Sequence, residues 1–232
     1  MDRIEIGDSR FIDSSEDQRL LVWEADLRLI LEADEGAYTI VNGVKLPMAS
    51  GDVLLTPNWH WHGHGNESSA PAYWIDFLDT PLIHALEPMF FEPHPEVYEP
   101  VAEVAAQSPM RFCWADTLRR LNEIPQTARA PFGTQIALGD PAMTTISLHM
   151  MRLARGVETH AHRTTANNIY AVAQGAGVSL IDGESFAWSH GDVIAAPAWR
   201  PHSHCASEDA ILLRVSDEPV LQKLDLLRSD SG

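Results

Sequence analysis

A pattern written twice restricts the fold more than anything else in this chain. It runs Gly51, five residues, Pro57, one residue, Trp59, two residues, His62; the same spacing returns as Gly191, Pro197, Trp199 and His202, at a constant offset of 140 residues. His64 pairs with His204 at that offset, and Asn42-Gly43 pairs with Asp182-Gly183. After a small gap, Leu78-Asp79-Thr80-Pro81 resembles Ser216-Asp217-Glu218-Pro219. Fixed identities with matched turns mean two copies of one structural unit.

Each copy reads as β-structure. Gly36 to Leu46 forms a hairpin around Asn42-Gly43, the residue pair that a two-residue turn with positive φ requires. Thr144 to Leu153, Ile169 to Ala173, Val178 to Ile181 and Val193 to Ala196 are short β-type runs separated by glycines, a rhythm of sandwiches and barrels. Helical patterns are few. The best is Trp114 to Leu121; Leu221 to Arg228 suggests a closing helix, and Pro81 to Glu92 starts helical until Pro88 interrupts it. Met1 to Gln18 reads as a polar tail or a short edge element. The expected organisation is an N-terminal unit at 1–95, a connector at 96–140 and a C-terminal unit at 141–232.

Charge narrows the partners. The formal net charge of -17 argues against nucleic acid or an anionic membrane. An anionic ligand therefore needs a local cation. No apolar run has membrane-spanning length, and the charged first ten residues do not read as a signal peptide. Cys113 and Cys205 lack metal-motif spacing and suggest no disulfide framework, so a cytoplasmic setting is the simplest expectation.

Histidine placement carries the chemistry. His60, His62 and His64 alternate, so an extended backbone turns them to one face, where they suit a metal site or a polar cavity; a histidine-rich, half-exposed strand is the alternative. In the second copy His160 and His162 share a side, and His202 comes from a distant strand. A glycine, an HxH pair and a later glycine-proline-histidine form the two-part pattern of the cupins, small jelly-roll barrels that hold a metal inside. The usual cupin carboxylate is missing near Ala166 to Asn168. Three histidines, His160, His162 and His202, are then the expected ligands, a set that suits iron, zinc or copper. An exposed pair beside Arg163 is the competing reading. Trp59, Trp61 and Trp199 are expected in the barrel core or a cavity wall. His84, His94, His149 and His190 are expected at the surface or in local hydrogen bonds.

From about Leu27 to Arg228 the chain resembles the gentisate 1,2-dioxygenases and their salicylate and hydroxynaphthoate relatives. The resemblance rests on LEADEGAYTIVNG, GDVLLTPNWHWHGHGNE, YWIDFLDTPL and FFE in the first half, and on NNIYAVAQGAG, GDVIAAPAWRPHSH and EDAILLRVSDEPV in the second. It implies an all-β bicupin: two barrels with a partly helical connector. It also implies Fe(II), one per chain, with dioxygen and a hydroxylated aromatic acid such as gentisate, cleaved to maleylpyruvate. Family members often form tetramers, so a homo-oligomer is a further expectation. By the same resemblance His62 matches the third iron ligand of the first barrel, while His64 and Asp76 match substrate-contacting residues. Arg28 matches the receiver of the substrate carboxylate.

The chain departs from the family where the first HxH pair belongs. That window reads Leu20, Leu21, Val22 and Trp23, and no histidine precedes His60. In the second barrel one alignment puts the family's HxH over His162 and Thr164 rather than His160 and His162. The two registers differ by two residues, which preserves the inward face. The expected metal site is therefore in the second barrel. A degenerate bicupin that binds a small carboxylate, or serves as a structural or regulatory subunit, is the alternative.

Overall fold

The computed structural model describes all residues except 1–19, 23–24, 89–90, 97–98, 125–132, 140–142 and 232. The polar stretch at Met1 to Gln18 thus lies outside the described residues.

The first unit contains β1 (Leu20–Val22), β2 (Asp26–Glu32), β3 (Ala37–Val41), β4 (Val44–Pro47), β5 (Val53–Thr56), β6 (His60–Asn66) and β7 (Tyr73–Leu78), then α1 (Thr80–Leu86) and β8 (Phe91–Pro93). The linking segment adds β9 (Glu103–Val104), β10 (Arg111–Phe112) and α2 (Trp114–Glu123). The second unit contains β11 (Thr134–Ala137), β12 (Ser147–Leu153), β13 (Arg163–Thr164), β14 (Asn168–Gln174), β15 (Ala176–Ile181), β16 (Glu184–Ser189), β17 (Val193–Ala196), β18 (His202–Ala206) and β19 (Ala210–Ser216), then α3 (Glu218–Lys223) and β20 (Ser229–Asp230). Two facing sheets, β8-β1-β6-β3-β4-β9 and β10-β5-β2-β7, make the first barrel. The second is built on β11-β12-β19-β14-β17 and β16-β15-β18, with a β13-β20 pair beside them.

The repeat is visible in the backbone. Asn42 and Gly43 have φ of 47° and 79°, and Asp182 and Gly183 have 51° and 85°, the double positive φ of a tight hairpin turn. Trp59 and Trp199 both occupy the left-handed region, at 64° and 61°. That conformation is rare for a bulky residue and here is used twice at one turn of the motif. Neither ring is in the core: Trp59 is 54% exposed and Trp199 42%. The turn leaves both rings well exposed, outside the barrel core that was one of their two expected places, a cavity wall being the other. Trp61 is half-buried and meets His94 edge-on at 4.7 Å. The closing helix also lies earlier than its apolar pattern suggested. α3 starts just after Asp217 with Pro219 in its first turn and stops at Lys223, since proline suits a helix start.

Strand alternation sorts the side chains. On β2, Leu27 and Leu29 join a shared cluster with Leu148, Met150, Ala171 and Leu213 of the second unit, so the barrels pack together through these strands. The intervening Asp26, Arg28 and Ile30 face the first barrel's interior. On β14, Tyr170 and Val172 face the second interior with Trp188 and Leu212. On β19 the same alternation carries Leu212, Arg214 and Ser216 inward while Leu213 and Val215 join the shared core.

The linking segment closes one copy of the glycine-aspartate turn. Gly51 has φ 86°, and a Cβ there would meet the Trp114 ring at 2.4 Å, so only glycine lets α2 approach. Asp52 accepts from the Trp114 backbone N–H at 2.8 Å and from Arg111 Nη2 at 2.6 Å. Gly191 keeps the same φ of 86°, but no helix covers it; Asp192 is exposed and accepts from Ser189.

Candidate functional site

Two equivalent interiors result, and their cross-strand registers can be compared residue by residue. In the first barrel β1 pairs with β6 so that Leu20 faces His62. In the second, His162 bridges His202. The repeat relates His62 to His202, so Leu20 stands where the second barrel has His162. Arg28 pairs with Leu54 and Asp76, and Tyr170 pairs with Ile194 and Arg214. Leu54 and Ile194 are repeat-related, so Arg28 and Tyr170 hold one position and Asp76 and Arg214 another. The buried cation has moved from one strand to its neighbour.

In the first barrel Arg28 is 1% exposed. Its Nη2 pairs with Asp26, and its Nε stands 3.3 Å from Asp76 Oδ1. Trp74 Nε1 donates to Asp76 Oδ2 at 3.1 Å. Thr39 Oγ1 donates to Gly63 O at 3.0 Å and is hydrogen-bonded to His64 Nδ1 at 2.9 Å; Arg28 Nη1 stands 2.5 Å from the same Nδ1. Arg28 Nη1 is also in close contact with His64 Nε2. His64 is consequently engaged on both nitrogens. Burial, then the Arg28 charge, hold its pKa well below the ordinary value. His62 donates Nδ1–H to His60 O at 3.5 Å; burial and Arg28 lower its pKa to about 4. His60 turns its Nδ1–H to Asn58 O at 2.9 Å. Of the alternating trio, His62 and His64 come together, with ring centroids 5.8 Å apart.

In the second barrel the structure leaves His160 exposed and buries His162 and Thr164. The inward register is thus His162–Thr164, and the expected trio His160, His162 and His202 is not brought together. The cluster that does form is His162, His202, His204 and Tyr170. His162 and His202 have ring centroids 4.1 Å apart, His202 and His204 5.8 Å, and Tyr170 and His204 4.3 Å. His202 donates Nδ1–H to Arg200 O at 3.0 Å, and Tyr170 donates its hydroxyl proton to His202 Nε2 at 2.9 Å. His162 directs Nδ1–H to His160 O at 3.4 Å. His204 Nδ1 is hydrogen-bonded to Ser179 Oγ at 2.7 Å, and Trp188 Nε1 donates to the same oxygen at 2.9 Å.

All three imidazoles are neutral at physiological pH. Burial, then the neighbouring imidazoles, lowers His162 to about 4 and His204 to about 3; burial lowers His202 as well. Burial raises the Tyr170 phenol above its ordinary value. Neutral imidazoles with a pinned Nδ1–H are good metal donors through Nε2. Two features oppose a metal here. The Nε2 of His202 already accepts from Tyr170, and Thr164 takes an inward position where an imidazole is needed. Among the described residues, no three His, Cys, Asp or Glu side chains stand together as a metal-holding group. The donor chemistry is suitable but the donor set is incomplete, so neither barrel fits iron as it stands.

Sequence reasoning left His204, Tyr170 and Arg214 out of the site. His204 was visible as the repeat partner of His64. Tyr170 and Arg214 were not, because superposing the repeats pairs them with residues of different chemistry. His149 is, as expected, locally bonded: Arg214 Nη2 donates to its Nδ1 at 3.0 Å.

Paired jelly-roll barrels with polar interiors define a bicupin. A cupin domain model matches residues 27–78. The chain is 31% identical to the 5-aminosalicylate 1,2-dioxygenase of Comamonas sp, over 84% of this chain and 59% of that protein. It is 30% identical to a gentisate 1,2-dioxygenase of Streptomyces sp, over 88% of this chain and 66% of that one. A solved structure of a variant salicylate 1,2-dioxygenase from Pseudoaminobacter salicylatoxidans superposes with a TM-score of 0.80 at 30% identity, covering 92% of this chain and 71% of that chain. The chain belongs to the gentisate, salicylate and hydroxynaphthoate dioxygenase family. It spans less than two thirds of the curated relatives' length. Among its described residues no helix is long and apolar enough to cross a membrane.

Proposed function

We propose that this chain binds a hydroxylated aromatic acid, the compound class in its relatives' names, without carrying out ring cleavage. One observation carries the reading: the β1–β6 register sets Leu20 opposite His62, where the second barrel sets His162 opposite His202. The first barrel thus offers one imidazole at a ligand position, with His64 engaged by Arg28 and Thr39. The second offers His162 and His202 as direct bridge partners, with Thr164 rather than an imidazole at the next inward position. What persists in both barrels is a buried guanidinium among neutral imidazoles, an environment suited to a carboxylate with a ring hydroxyl.

A second reading is the Fe(II)-dependent dioxygenase, acting on gentisate or a similar acid with dioxygen. It is favoured by the neutral imidazoles of His162, His202 and His204, whose donor chemistry suits iron, and it requires a rearrangement that completes the donor set. When bound, iron would supply the oxygen chemistry; the protein's part would be to keep the three imidazoles unprotonated and the acid in place.

The deciding experiment combines anaerobic Fe(II) loading, elemental analysis, salicylate binding and gentisate-dependent oxygen uptake. Salicylate bound by iron-free protein, with no oxygen uptake, is the expected result. One iron per chain that disappears in His202→Ala, together with oxygen uptake, would overturn it in favour of the second reading.

A further inference from the structure

The family resemblance points to Arg28 as the carboxylate receiver, but the second interior contains a seat that an internal carboxylate already fills. We propose that the ligand carboxylate is received by Arg214, in the place where the Glu218 side chain now sits. This rests on the acid-binding reading above and names its site.

The Arg214 side chain is 3% exposed, and strand alternation turns it into the barrel. Its Nη1 donates to Glu218 Oε1 at 3.2 Å and its Nη2 to Oε2 at 3.4 Å, the two-pronged arrangement of guanidinium on carboxylate. Ser147 Oγ donates to Oε2 at 3.4 Å. These contacts are long for charge-assisted bonds, which close to about 2.7–2.9 Å when well formed. Arg111 on Asp52 in the same protein reaches 2.6 and 2.9 Å. Glu218 is also the outer member of the pair: its side chain is 24% exposed and opens a two-turn helix at the barrel rim. Rotation into water frees the seat at little cost, because the departing charge is resolvated while the arriving carboxylate keeps Arg214 paired.

Arg28 is less suited to exchange. Asp26, its partner, lies on the same strand with a side chain only 8% exposed, and cannot leave for solvent without moving β2. A cleft reaches the start of the helix that carries Glu218, although neither Glu218 nor Arg214 lines it. Ser216 and Asp217, the two residues before Glu218, line this cleft between the barrels, with about 770 Å³ of empty space, open to solvent. Its other walls include Phe77, Leu82, Ile146 and Ile169, an apolar surface suited to an aromatic ring. Glu218 thus acts as a resident competitor that an aromatic acid must displace.

Metal-free full-length chain is titrated calorimetrically with salicylate and, as the uncharged control, salicylamide. Glu218→Gln removes the competing charge and keeps the shape; salicylate is expected to bind it about tenfold more tightly than wild type, with salicylamide unchanged. Arg214→Lys loses the two-pronged contact, and salicylate affinity should fall by about tenfold or more. Should Arg214→Lys fail to fold, the Glu218→Gln comparison decides alone. Equal salicylate affinity for wild type and Glu218→Gln overturns the seat, as does a loss confined to Arg28→Lys, while acid binding itself survives. Salicylate bound by none of these proteins sinks the acid-binding reading and the seat with it.

Discussion

The two glycine-aspartate turns offer an internally controlled test, because one sequence motif sits in two environments. Asp52 has a side chain 2% exposed and accepts from Arg111 Nε at 2.9 Å, Arg111 Nη2 at 2.6 Å, Ala49 N at 3.1 Å and Trp114 N at 2.8 Å. Asp52→Ala leaves the largely buried Arg111 cation without its carboxylate, which costs about 3–5 kcal/mol for a buried pair broken on one side. It also uncaps the first turn of α2, worth about 1 kcal/mol. Asp192 accepts from Ser189 N at 2.8 Å and Ser189 Oγ at 3.1 Å, and is exposed. Asp192→Ala should therefore cost no more than about 1 kcal/mol. Urea unfolding followed by tryptophan fluorescence measures both, and the difference should be at least about 2 kcal/mol. In thermal scans Asp52→Ala should melt roughly 10 °C below wild type, at a few degrees per kcal/mol for a chain of this size. Equal losses in the two variants would refute the claim that the linking segment is anchored through Asp52.

The remaining predictions concern the imidazole interior. His162 and His204 have folded pKa values of about 4 and about 3, below the unfolded value of 6.5. The unfolded chain then binds more protons, and stability present above pH 6.5 is lost as pH falls toward 4, by roughly 2 kcal/mol per imidazole at pH 5. Urea midpoints that stay flat between pH 7 and pH 5 would contradict this. Tyr170→Phe removes the donor to His202 Nε2; unfolding should cost about 1 kcal/mol less, and His202 should gain affinity for Zn(II) in competition with a chromophoric chelator. Unchanged zinc affinity would show that the phenol does not block the nitrogen. Thr164→His places a third imidazole in register with His162 and His202, so elemental analysis should find about one Zn(II) or Co(II) per chain where wild type retains none. If the variant stays metal-free, the inward register of 162 and 164 is not the ligand register.

The framework was legible because its signals are local or repeated. Asn42-Gly43 and Asp182-Gly183 demand the same turn, and the Gly–Pro–Trp–His spacing fixes the same strand-turn-strand unit twice. Two things escaped. The exposed tryptophans follow from a left-handed backbone at Trp59 and Trp199, which no hydrophobicity pattern reports. The HxH register around His160 could not be chosen from alternation, since a shift of two residues leaves the same face inward; the bridge from His162 to His202 and the burial of His162 and Thr164 make the choice. Arg214 escaped for a related reason. A charged residue on an alternating strand is read as solvent-facing, yet here both faces are buried, one against the partner barrel and one in the interior.

That double burial explains how the interiors can diverge while the barrels stay alike. The shared core is supplied by Leu27, Leu29, Ala171 and Leu213, on the strand faces away from the interiors. Residues on the opposite faces are thereby released from the main task of holding the fold and can change character in place. Position by position they have done so: Arg28 stands against Tyr170 and Asp76 against Arg214. The hydrogen-bonded frame is kept, with Thr39 on His64 and Ser179 on His204. A site can then lose metal ligands and retain a cation and a ring of neutral acceptors while the shared core between the barrels is left intact. On this reasoning, substitutions at Thr164 or Tyr170 should change ligand preference far more than they change the unfolding midpoint, and substitutions at Leu29 or Met150 should do the reverse, at about 2–5 kcal/mol for truncation to alanine.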